Sequence, residues 1–387
     1  MKITAVKAIP AGVPFNADIT RNFMFVKIET DAGLTGWGEA SSGPLAVATM
    51  IEEFGATLVG KDPSEIEKHW QTLYHYFHVR GGVVQMSAIS GIEIALWDIK
   101  GQALDTPIYD LLGGKIRDRI WTYGRWDGTT PEASVETALM FVDMGLTALK
   151  GDPFEHRGIF IDRASEDLAV EKLRAVRDAV GEDVELLVEV HGRLSPADAI
   201  RVANRMEQYR PFYFEEPVPP QNMEALKKVS EHTNVPIATG ERLLTKFDFA
   251  NLLPLHAVSM IQPDIMYAGG ILETKKIAAM AEAYYVGFQP HNCYGPINTL
   301  AALHLDACTP NFVITEGGPS LRASWFSESV FGDMPRQKGG YFSLPSGPGL
   351  GCAMNEDWLA AHPWDKKGKP WAHRQGHNPS RQDIDWS

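Results

Sequence analysis

The fold of this chain is decided by three segments, ELLVEVHGR (185–193), PFYFEEP (211–217) and PIATGER (236–242). Each segment is an apolar run of strand length that carries a glutamate, and the three glutamates follow one another at equal intervals. They are Glu189, Glu215 and Glu241. Each interval holds about one strand, one helix and two short loops, so the spacing predicts successive βα units of a parallel barrel.

In such a barrel the carboxyl ends of the strands meet at one mouth, which would bring the three glutamates together. Unpaired carboxylates this close raise one another's pKa, and a divalent cation removes the repulsion. Ligation by oxygen alone favours Mg²⁺ over zinc. The sequence therefore predicts that Glu189, Glu215 and Glu241 bind Mg²⁺; the alternative is three surface glutamates at the starts of loops.

The rest of the chain predicts an α/β protein, a (β/α)-barrel with an α+β capping domain at its N-terminal end. Residues 1–120 begin with the apolar/polar alternation of antiparallel strands and continue with helical patterns. In residues 121–330, predicted strands and helices follow one another in turn. We expect eight barrel strands, at IWTYG, TALKG, ELLVEV, PFYFEE, PIATGE, VSMIQPD, VGFQPH and FVITEG. The aromatic segment 331–387 is expected to return to the capping domain.

The composition of the chain limits the classes of function that it can have. The 387 residues suffice for one large barrel and a smaller domain, and the net charge of −13 argues against a nucleic-acid partner. Three cysteines give no disulfide framework, and neither a signal peptide nor a membrane-spanning run is evident. We expect a cytoplasmic enzyme without membrane partners that acts on a small anionic substrate and forms a homo-oligomer.

Further chemically active residues lie at the predicted carboxyl ends of strands. They are Lys150, Asp152, His191, Asp264, His291 and Glu316. An Asp on the sixth strand beside a His on the seventh can accept the ring N–H and raise the basicity of the imidazole, so Asp264 and His291 are predicted to form a general base. His191 follows Glu189 by two residues and shares its strand face.

These motifs resemble the mandelate racemase subgroup of the enolase superfamily along nearly the whole chain. The similar stretches include MFVKIETDAGLTGWGE, MSAISGIEIALWDIKG, VHGR, EQYRPFYFEEPV, ATGER, IQPDIMYAGGI and QPHNCYGPI. The resemblance implies a (β/α)7β barrel, Mg²⁺ on Glu189, Glu215 and Glu241, and His291 with Asp264 as the base. It also implies His191 as a general acid and Glu316 as a hydrogen-bonding partner of the substrate carboxylate.

The implied reaction is dehydration of a sugar acid. The proton beside a carboxylate is weakly acidic, and a metal ion aided by Lys150 and Glu316 would stabilise the resulting enediolate. Loss of the 3-hydroxyl, protonated by His191, would give a 2-keto-3-deoxy acid. A cycloisomerase or epimerase acting on a related sugar acid is the alternative, and a non-catalytic sugar-acid binding protein is a more remote one.

Two positions depart from the pattern of the subgroup. The first metal ligand is usually Asp, whereas Glu189 is longer by one methylene. Asp152 stands where racemases carry a second lysine, which disfavours racemisation. Substrate contacts are expected from the loops 11–22 and 41–48 and from the end of the second barrel strand, the candidates being Arg21, Asn22, Asp152 and His156.

Overall fold

The computed structural model describes residues 1–16, 19–41, 44–155, 158–317 and 323–365. Its first part is a three-stranded antiparallel sheet followed by helices. The elements are β1 (Ile3–Asn16), β2 (Ile19–Thr30), β3 (Thr35–Ala40), α1 (Pro44–Leu58), α2 (Ile66–Tyr74), α3 (Val83–Ala103) and α4 (Ile108–Leu111). The apolar stripe predicted on α3 is buried, and it includes Ile89, Ile92, Leu96 and Ile99.

The prediction of a loop over residues 11–22 is wrong for most of that range. β1 and β2 remain paired through it, with Gly12 opposite Asn22 and Pro14 opposite Thr20. The prolines misled the sequence interpretation, because proline disrupts a central strand. β1 lies at the edge of its sheet, where a missing N–H is tolerated. Part of the second predicted loop is likewise helical, since α1 begins at Pro44.

The barrel follows as eight parallel strands with seven intervening helices. The elements are β4 (Arg119–Arg125), α5 (Pro131–Asp143), β5 (Ala148–Gly151), α6 (Arg163–Val180), β6 (Glu185–Glu189), α7 (Pro196–Met206), β7 (Tyr213–Glu215), α8 (Met223–Ser230), β8 (Ile237–Thr239), α9 (Lys246–Leu252), β9 (Met260–Ile261), α10 (Ile271–Glu282), β10 (Gly287–Phe288), α11 (Pro296–Cys308) and β11 (Thr315–Glu316). β11 pairs with β4, and Phe288 bridges to Phe312. The ring therefore closes, which confirms the predicted (β/α)7β barrel.

The interior of the barrel is filled by one side chain from most of its strands. The buried members of this cluster are Tyr123, Ala148, Leu187, Tyr213, Ala238, Met260 and Ile314. Because side chains alternate along a strand, residues two positions further toward the carboxyl end face the same interior, one layer nearer the mouth. The functional residues predicted from the sequence lie in or above that layer.

Helix α3 joins the capping domain to the barrel through two buried carboxylates. Glu93 accepts hydrogen bonds from the backbone N–H groups of Ile271 (2.7 Å) and Leu272 (2.9 Å), at the N-terminus of α10. Asp98 accepts the N–H groups of Trp37 and Leu350. Both carboxylates accept backbone N–H groups, from a helix start, a strand and a loop, that would otherwise be buried without acceptors, so their role is structural.

The C-terminal part contacts both the barrel and the capping domain. It contains α12 (Trp325–Glu328), β12 (Val330–Gly332), β13 (Gln337–Lys338), β14 (Tyr341–Ser343), β15 (Cys352–Met354) and α13 (Glu356–Ala361). β14 pairs with β4, whereas Pro363 bridges to Ala11 and Glu356 forms an ion pair with Lys27 at 2.7 Å. The domain boundaries at 120 and 330 stay predictions. Among the described helices, none is long and apolar enough to span a membrane.

Candidate active site

The three predicted metal ligands meet at the mouth of the barrel. Glu189 and Glu215 end the adjacent strands β6 and β7 and lie opposite each other in register, and Glu241 follows β8. One carboxylate oxygen of each lies within 4.8 Å of the others. Glu189 and Glu215 are buried, whereas the side chain of Glu241 is 13% exposed and faces the mouth.

This cluster fits a hard divalent cation. The Oε2 atom of Glu215 is buried and has no hydrogen-bond partner among the described residues. Burial and the adjacent charge of Glu189 raise the pKa of Glu215 to about 7. An orphaned buried oxygen and crowded carboxylates are both relieved by a cation, and three carboxylates suit Mg²⁺ chemistry. The residues present can therefore hold the metal that the sequence predicts.

The additional methylene of Glu189 does not turn its carboxylate away from the cluster. Its Oε1 accepts the backbone N–H of His191 at 2.7 Å, and its Oε2 accepts a hydrogen bond from Lys150 at 3.2 Å. Burial opposes ionisation, but His191 and Lys150 outweigh it and lower the pKa of Glu189. Glu189 is thus held in its ionised form, at the place expected for the first metal ligand of the subgroup.

Lys150 is a buried cation beside the cluster. Its Nζ lies 2.9 Å from Glu215 Oε1 and 3.7 Å from Glu316 Oε1, in addition to its bond to Glu189. Burial lowers its pKa, but Glu215 and Glu316 reverse this effect, and the pKa of Lys150 is raised well above the usual value. A lysine that keeps its proton stabilises negative charge and does not act as a base.

His291 and Asp264 form the predicted pair, just beyond the carboxyl ends of the neighbouring strands β9 and β10. His291 Nδ1 lies 2.6 Å from Asp264 Oδ2, and the other oxygen of Asp264 accepts the N–H of Met266 at 2.8 Å. The other nitrogen of the ring, Nε2, is directed toward the three glutamates, 3.5 Å from Glu241 Oε2. Asp264 is fully buried, so the imidazole has a fixed orientation with Nε2 toward the mouth.

The protonation of His291 depends on the charges around it. Burial disfavours the imidazolium, but Cys293, Glu241 and Asp264 outweigh burial and raise the pKa of His291 well above its usual value. Because the charge of Glu241 contributes to this rise, neutralising Glu241 favours the neutral imidazole, which is the form that accepts a proton.

His191 belongs to a second histidine–carboxylate pair. Its Nδ1 lies 2.8 Å from Asp152 Oδ2, and Asp152 also receives a hydrogen bond from the guanidinium of Arg193. Burial lowers the pKa of His191, but Glu189 and Asp152 together raise it to about 9. His191 is therefore protonated near neutral pH, as a general acid requires.

Glu316 ends β11 and lies between His291 and Lys150. Its Oε2 accepts the backbone N–H of Asn292 at 3.0 Å and lies 3.9 Å from His291 Nε2. Burial raises its pKa, but Lys150 and His291 reverse this and lower the pKa of Glu316 to about 2. A substrate carboxylate bound alongside would raise this pKa again by charge repulsion.

Comparisons with known proteins match nearly all of this chain to one family. The family model described as "Mandelate racemase / muconate lactonizing enzyme, N-terminal domain" matches residues 2–113, and "Enolase C-terminal domain-like" matches residues 133–358. The chain belongs to the mandelate racemase subgroup of the enolase superfamily.

Relatives and solved structures agree with this assignment. A D-galactonate dehydratase of Xanthomonas axonopodis pv. citri is 38% identical over 92% of this chain and 95% of that protein. A D-galactonate dehydratase of Variovorax paradoxus is 37% identical over 92% of this chain and 96% of that one. The crystal structure of a mandelate racemase/muconate lactonizing enzyme from Jannaschia superposes with a TM-score of 0.89 at 35% identity, covering 94% of this chain and 98% of that one. The chain is thus an enzyme of the dehydratase class, a hydro-lyase.

Within this superfamily member, the predicted substrate contacts are only partly brought together. Asp152 is at the mouth, but its carboxylate holds His191 and Arg193. Both polar atoms of the Asn22 amide are bonded to the main chain of Asp365, at 2.9 and 3.1 Å. Arg21 is half-buried on β2, opposite Val13. His156 lies outside the described residues.

Sequence reasoning missed three arginines at the mouth of this enzyme, together with the carboxylate partners of two of them. Arg193 holds Asp152 and lies two residues after His191 in the motif VHGR. Arg242, one residue after Glu241 in TGER, pairs with the buried Glu216, which is one residue after Glu215 in FEEP. Arg125 and Asp127 form an ion pair at the end of β4. Arg193 and Arg242 could have been found by their positions beside functional residues, whereas Arg125 has no comparable motif.

Proposed function

We propose that this enzyme is a Mg²⁺-dependent dehydratase of a sugar acid of the D-galactonate type, giving a 2-keto-3-deoxy acid. The observation that carries the proposal is the presence of two separate histidine–carboxylate pairs beside one cluster of metal ligands. His291 is held by Asp264, and His191 is held by Asp152. Dehydration needs a base for the proton at C2 and an acid for the hydroxyl at C3, and two oriented imidazoles can serve these steps separately.

The first step is removal of the C2 proton. The Nε2 of His291 accepts this proton, while Asp264 supports the positive charge that develops on the imidazole. The two electrons of the C–H bond pass into the carboxylate, which becomes an enediolate. A divalent cation held by Glu189, Glu215 and Glu241 would supply positive charge to the carboxylate oxygens. Lys150 adds a fixed positive charge from the other side.

The second step is departure of the 3-hydroxyl. His191 donates its proton to that oxygen, so the C3–O bond breaks with release of water and formation of an enol. The enol then converts to the 2-keto-3-deoxy acid. The charged state of His191 is favoured by Glu189 and by Asp152, and Asp152 is not one of the metal ligands. In its protonated form, Glu316 would donate a hydrogen bond to the bound carboxylate, whose negative charge opposes the lowering of the Glu316 pKa by Lys150 and His291.

The test is to supply the enzyme and Mg²⁺ with a panel of six-carbon aldonic and aldaric acids. A 2-keto-3-deoxy product from at least one acid, lost in Glu215→Gln, is the expected result. Epimerised substrate with C2 exchange but without keto product would favour the epimerase, and a ring-opened or ring-closed isomer would favour the cycloisomerase. Metal-dependent binding without turnover or exchange would indicate a binding protein and would refute the proposal.

A further inference from the structure

Two tyrosines follow the members of the proposed base pair. Tyr267 comes three residues after Asp264, in the segment beyond β9, and Tyr294 comes three residues after His291, in the segment beyond β10. Their hydroxyl oxygens lie 2.8 Å apart, and their rings meet edge to face with centroids 6.1 Å apart. The tyrosines therefore connect the two segments at a second point, in addition to the hydrogen bond between Asp264 and His291.

The ring of Tyr294 contacts the imidazole of His291. The two ring centroids are 5.9 Å apart and the ring planes meet at 83°, which is the edge-to-face arrangement that aromatic pairs favour. The hydrogen bond to Asp264 directs Nε2 toward the mouth, but a single bond does not fix the tilt of the imidazole about that bond. The contact with Tyr294 supplies a second restraint, and together the two define the plane of the ring.

The end of β3 in the capping domain supports both tyrosine segments. Ser41 Oγ lies 2.8 Å from Tyr267 Oη, and both side chains are buried. Glu39, two residues earlier, accepts the backbone N–H of Gly295 at 2.7 Å, immediately after Tyr294. Gly295 packs so closely against this carboxylate that an added Cβ would lie 2.6 Å from Glu39 Oε1. The two segments of the base pair are therefore both anchored to the same strand end.

The hydroxyl groups of Ser41, Tyr267 and Tyr294 form one continuous chain. Each hydroxyl can donate one hydrogen bond and accept others, so both contacts in the chain can be made at once. Such a network holds its members more firmly than an isolated bond does. The position of the Tyr294 ring, and with it the tilt of the imidazole, thus depends on a residue of the capping domain.

Building on the proposed function, we infer that Tyr294 is a positioning residue for the base. It holds the imidazole of His291 in the plane from which Nε2 takes the C2 proton, and Ser41 and Tyr267 set its position from the capping domain. Proton transfer requires the donor and acceptor atoms to be aligned, and a misplacement of about 1 Å can cost about 10²-fold in rate. The capping domain therefore takes part in the chemistry through the orientation of the base.

The experiment compares Tyr294→Leu with Tyr294→Phe, and it follows the exchange of the C2 proton for deuterium. Leucine removes the ring that contacts His291, so kcat for exchange should fall by about 10–10²-fold while KM changes little. Phenylalanine keeps the ring and loses only the hydroxyl. It should recover most of the rate, with a several-fold loss that reflects the missing hydrogen bond to Tyr267.

A double-variant cycle tests the chain of hydroxyls. Tyr267→Phe and Tyr294→Phe break the same hydrogen bond, so each should slow exchange several-fold, and the double variant should be no slower than Tyr267→Phe alone. Ser41→Ala should cause part of the same loss. Losses that add fully would mean that the two tyrosines act independently, which would overturn the role of the capping domain.

The matched control is Tyr284→Leu. Tyr284 also lies against a histidine, with its ring centroid 5.7 Å from that of His256. Both residues precede strands, β10 and β9, so they lie at the end of the barrel opposite the mouth. Removing this ring should leave both kcat and KM unchanged. An equal loss in Tyr284→Leu and Tyr294→Leu would overturn the inference, because the effect would then be one of general stability.

Two further results would overturn the inference. A higher KM with an unchanged kcat in Tyr294→Leu would mean that Tyr294 contacts the substrate and not the base. Crystal structures of the two variants give a measure that needs no turnover, since the imidazole should keep its tilt in Tyr294→Phe and change it in Tyr294→Leu. An unchanged imidazole in Tyr294→Leu would overturn the inference even if exchange fell. A wild-type enzyme that exchanges no acid would contradict the proposed function alone and would leave this structural comparison decisive.

Discussion

Replacing His191 by asparagine should separate the two steps of the reaction. His191 has a φ of +53°, in the left-handed region that asparagine adopts more easily than most residues. The backbone N–H that bonds to Glu189 at 2.7 Å is unaffected by the substitution. The amide nitrogen of asparagine can donate a hydrogen bond to Asp152 in place of Nδ1. Asp152 also keeps its ion pair with Arg193 in the variant.

The magnitude follows from these retained contacts. Loss of at most one hydrogen bond should lower the free energy of unfolding by only about 1 kcal/mol. Loss of the only proton donor proposed for the 3-hydroxyl should slow product formation by about 10²–10⁴-fold. Removal of the C2 proton by His291 should continue. The variant should therefore exchange the C2 proton for deuterium much faster than it forms product.

The assay is incubation with substrate in D₂O, with the C2 proton followed by NMR and the keto product by derivatisation. His256→Asn is the matched control, because His256 is also left-handed (φ +51°) but is exposed and far from the mouth. Equal loss of exchange and elimination in His191→Asn, with metal binding intact, would refute the reasoning. His191 would then be a second base, and the epimerase would become the better proposal.

Three further outcomes are expected. His291→Asn should lose exchange and elimination together by about 10²–10⁴-fold, and Asp264→Asn should be impaired in both; near-normal exchange in His291→Asn would assign the base elsewhere. EDTA should abolish activity and Mg²⁺ restore it, with weaker Mg²⁺ binding by calorimetry in Glu215→Gln, whereas metal-independent turnover would contradict the metal site. Burial raises the pKa of Glu93 to about 8 from 4.5, so its contribution to stability is complete below about pH 4.5 and is lost as pH rises toward 8. The unfolding free energy of the wild type relative to Glu93→Gln should fall over that interval in urea titrations, and a flat difference would contradict this assignment.

The fold could be predicted because its signals are local and repeated. Apolar runs ended by carboxylates mark the barrel strands, and one such run, ELLVEV, coincides with β6 to within one residue. Strand lengths were harder to predict, and β9 contains only Met260–Ile261 of the predicted VSMIQPD. Hydrogen bonds continue beyond β9 without regular strand geometry, since the N–H of Gln262 still bonds to Thr239. The periodicity of apolar residues indicates which residues are buried, but it does not indicate where the regular hydrogen bonding between strands ends.

The parts of the candidate site that depend only on a residue's position at the end of a strand could be predicted. The parts that depend on contacts between residues of different strands could not. To predict the carboxylates at the ends of β6 and β7, it was enough to assign the barrel fold. The partner of Asp152 could not be predicted, because His191 follows a different strand, β6, and turns toward Asp152 through a left-handed backbone conformation. Asp152 was accordingly expected to contact substrate hydroxyls, whereas the structure places its carboxylate against His191 and Arg193.

The two histidine pairs differ in position, which would let similar groups perform opposite proton transfers. His291 follows β10 and its Nε2 is close to Glu241, whereas His191 follows β6 and lies near Glu189. Glu241 raises the pKa of His291 and Glu189 raises the pKa of His191, so neutralising these glutamates would favour the neutral form of both rings. Each ring would keep its own supporting carboxylate, Asp264 or Asp152, and neither of these belongs to the metal-ligand cluster. The roles of base and acid proposed for the two imidazoles therefore rest on which side of the cluster each ring occupies.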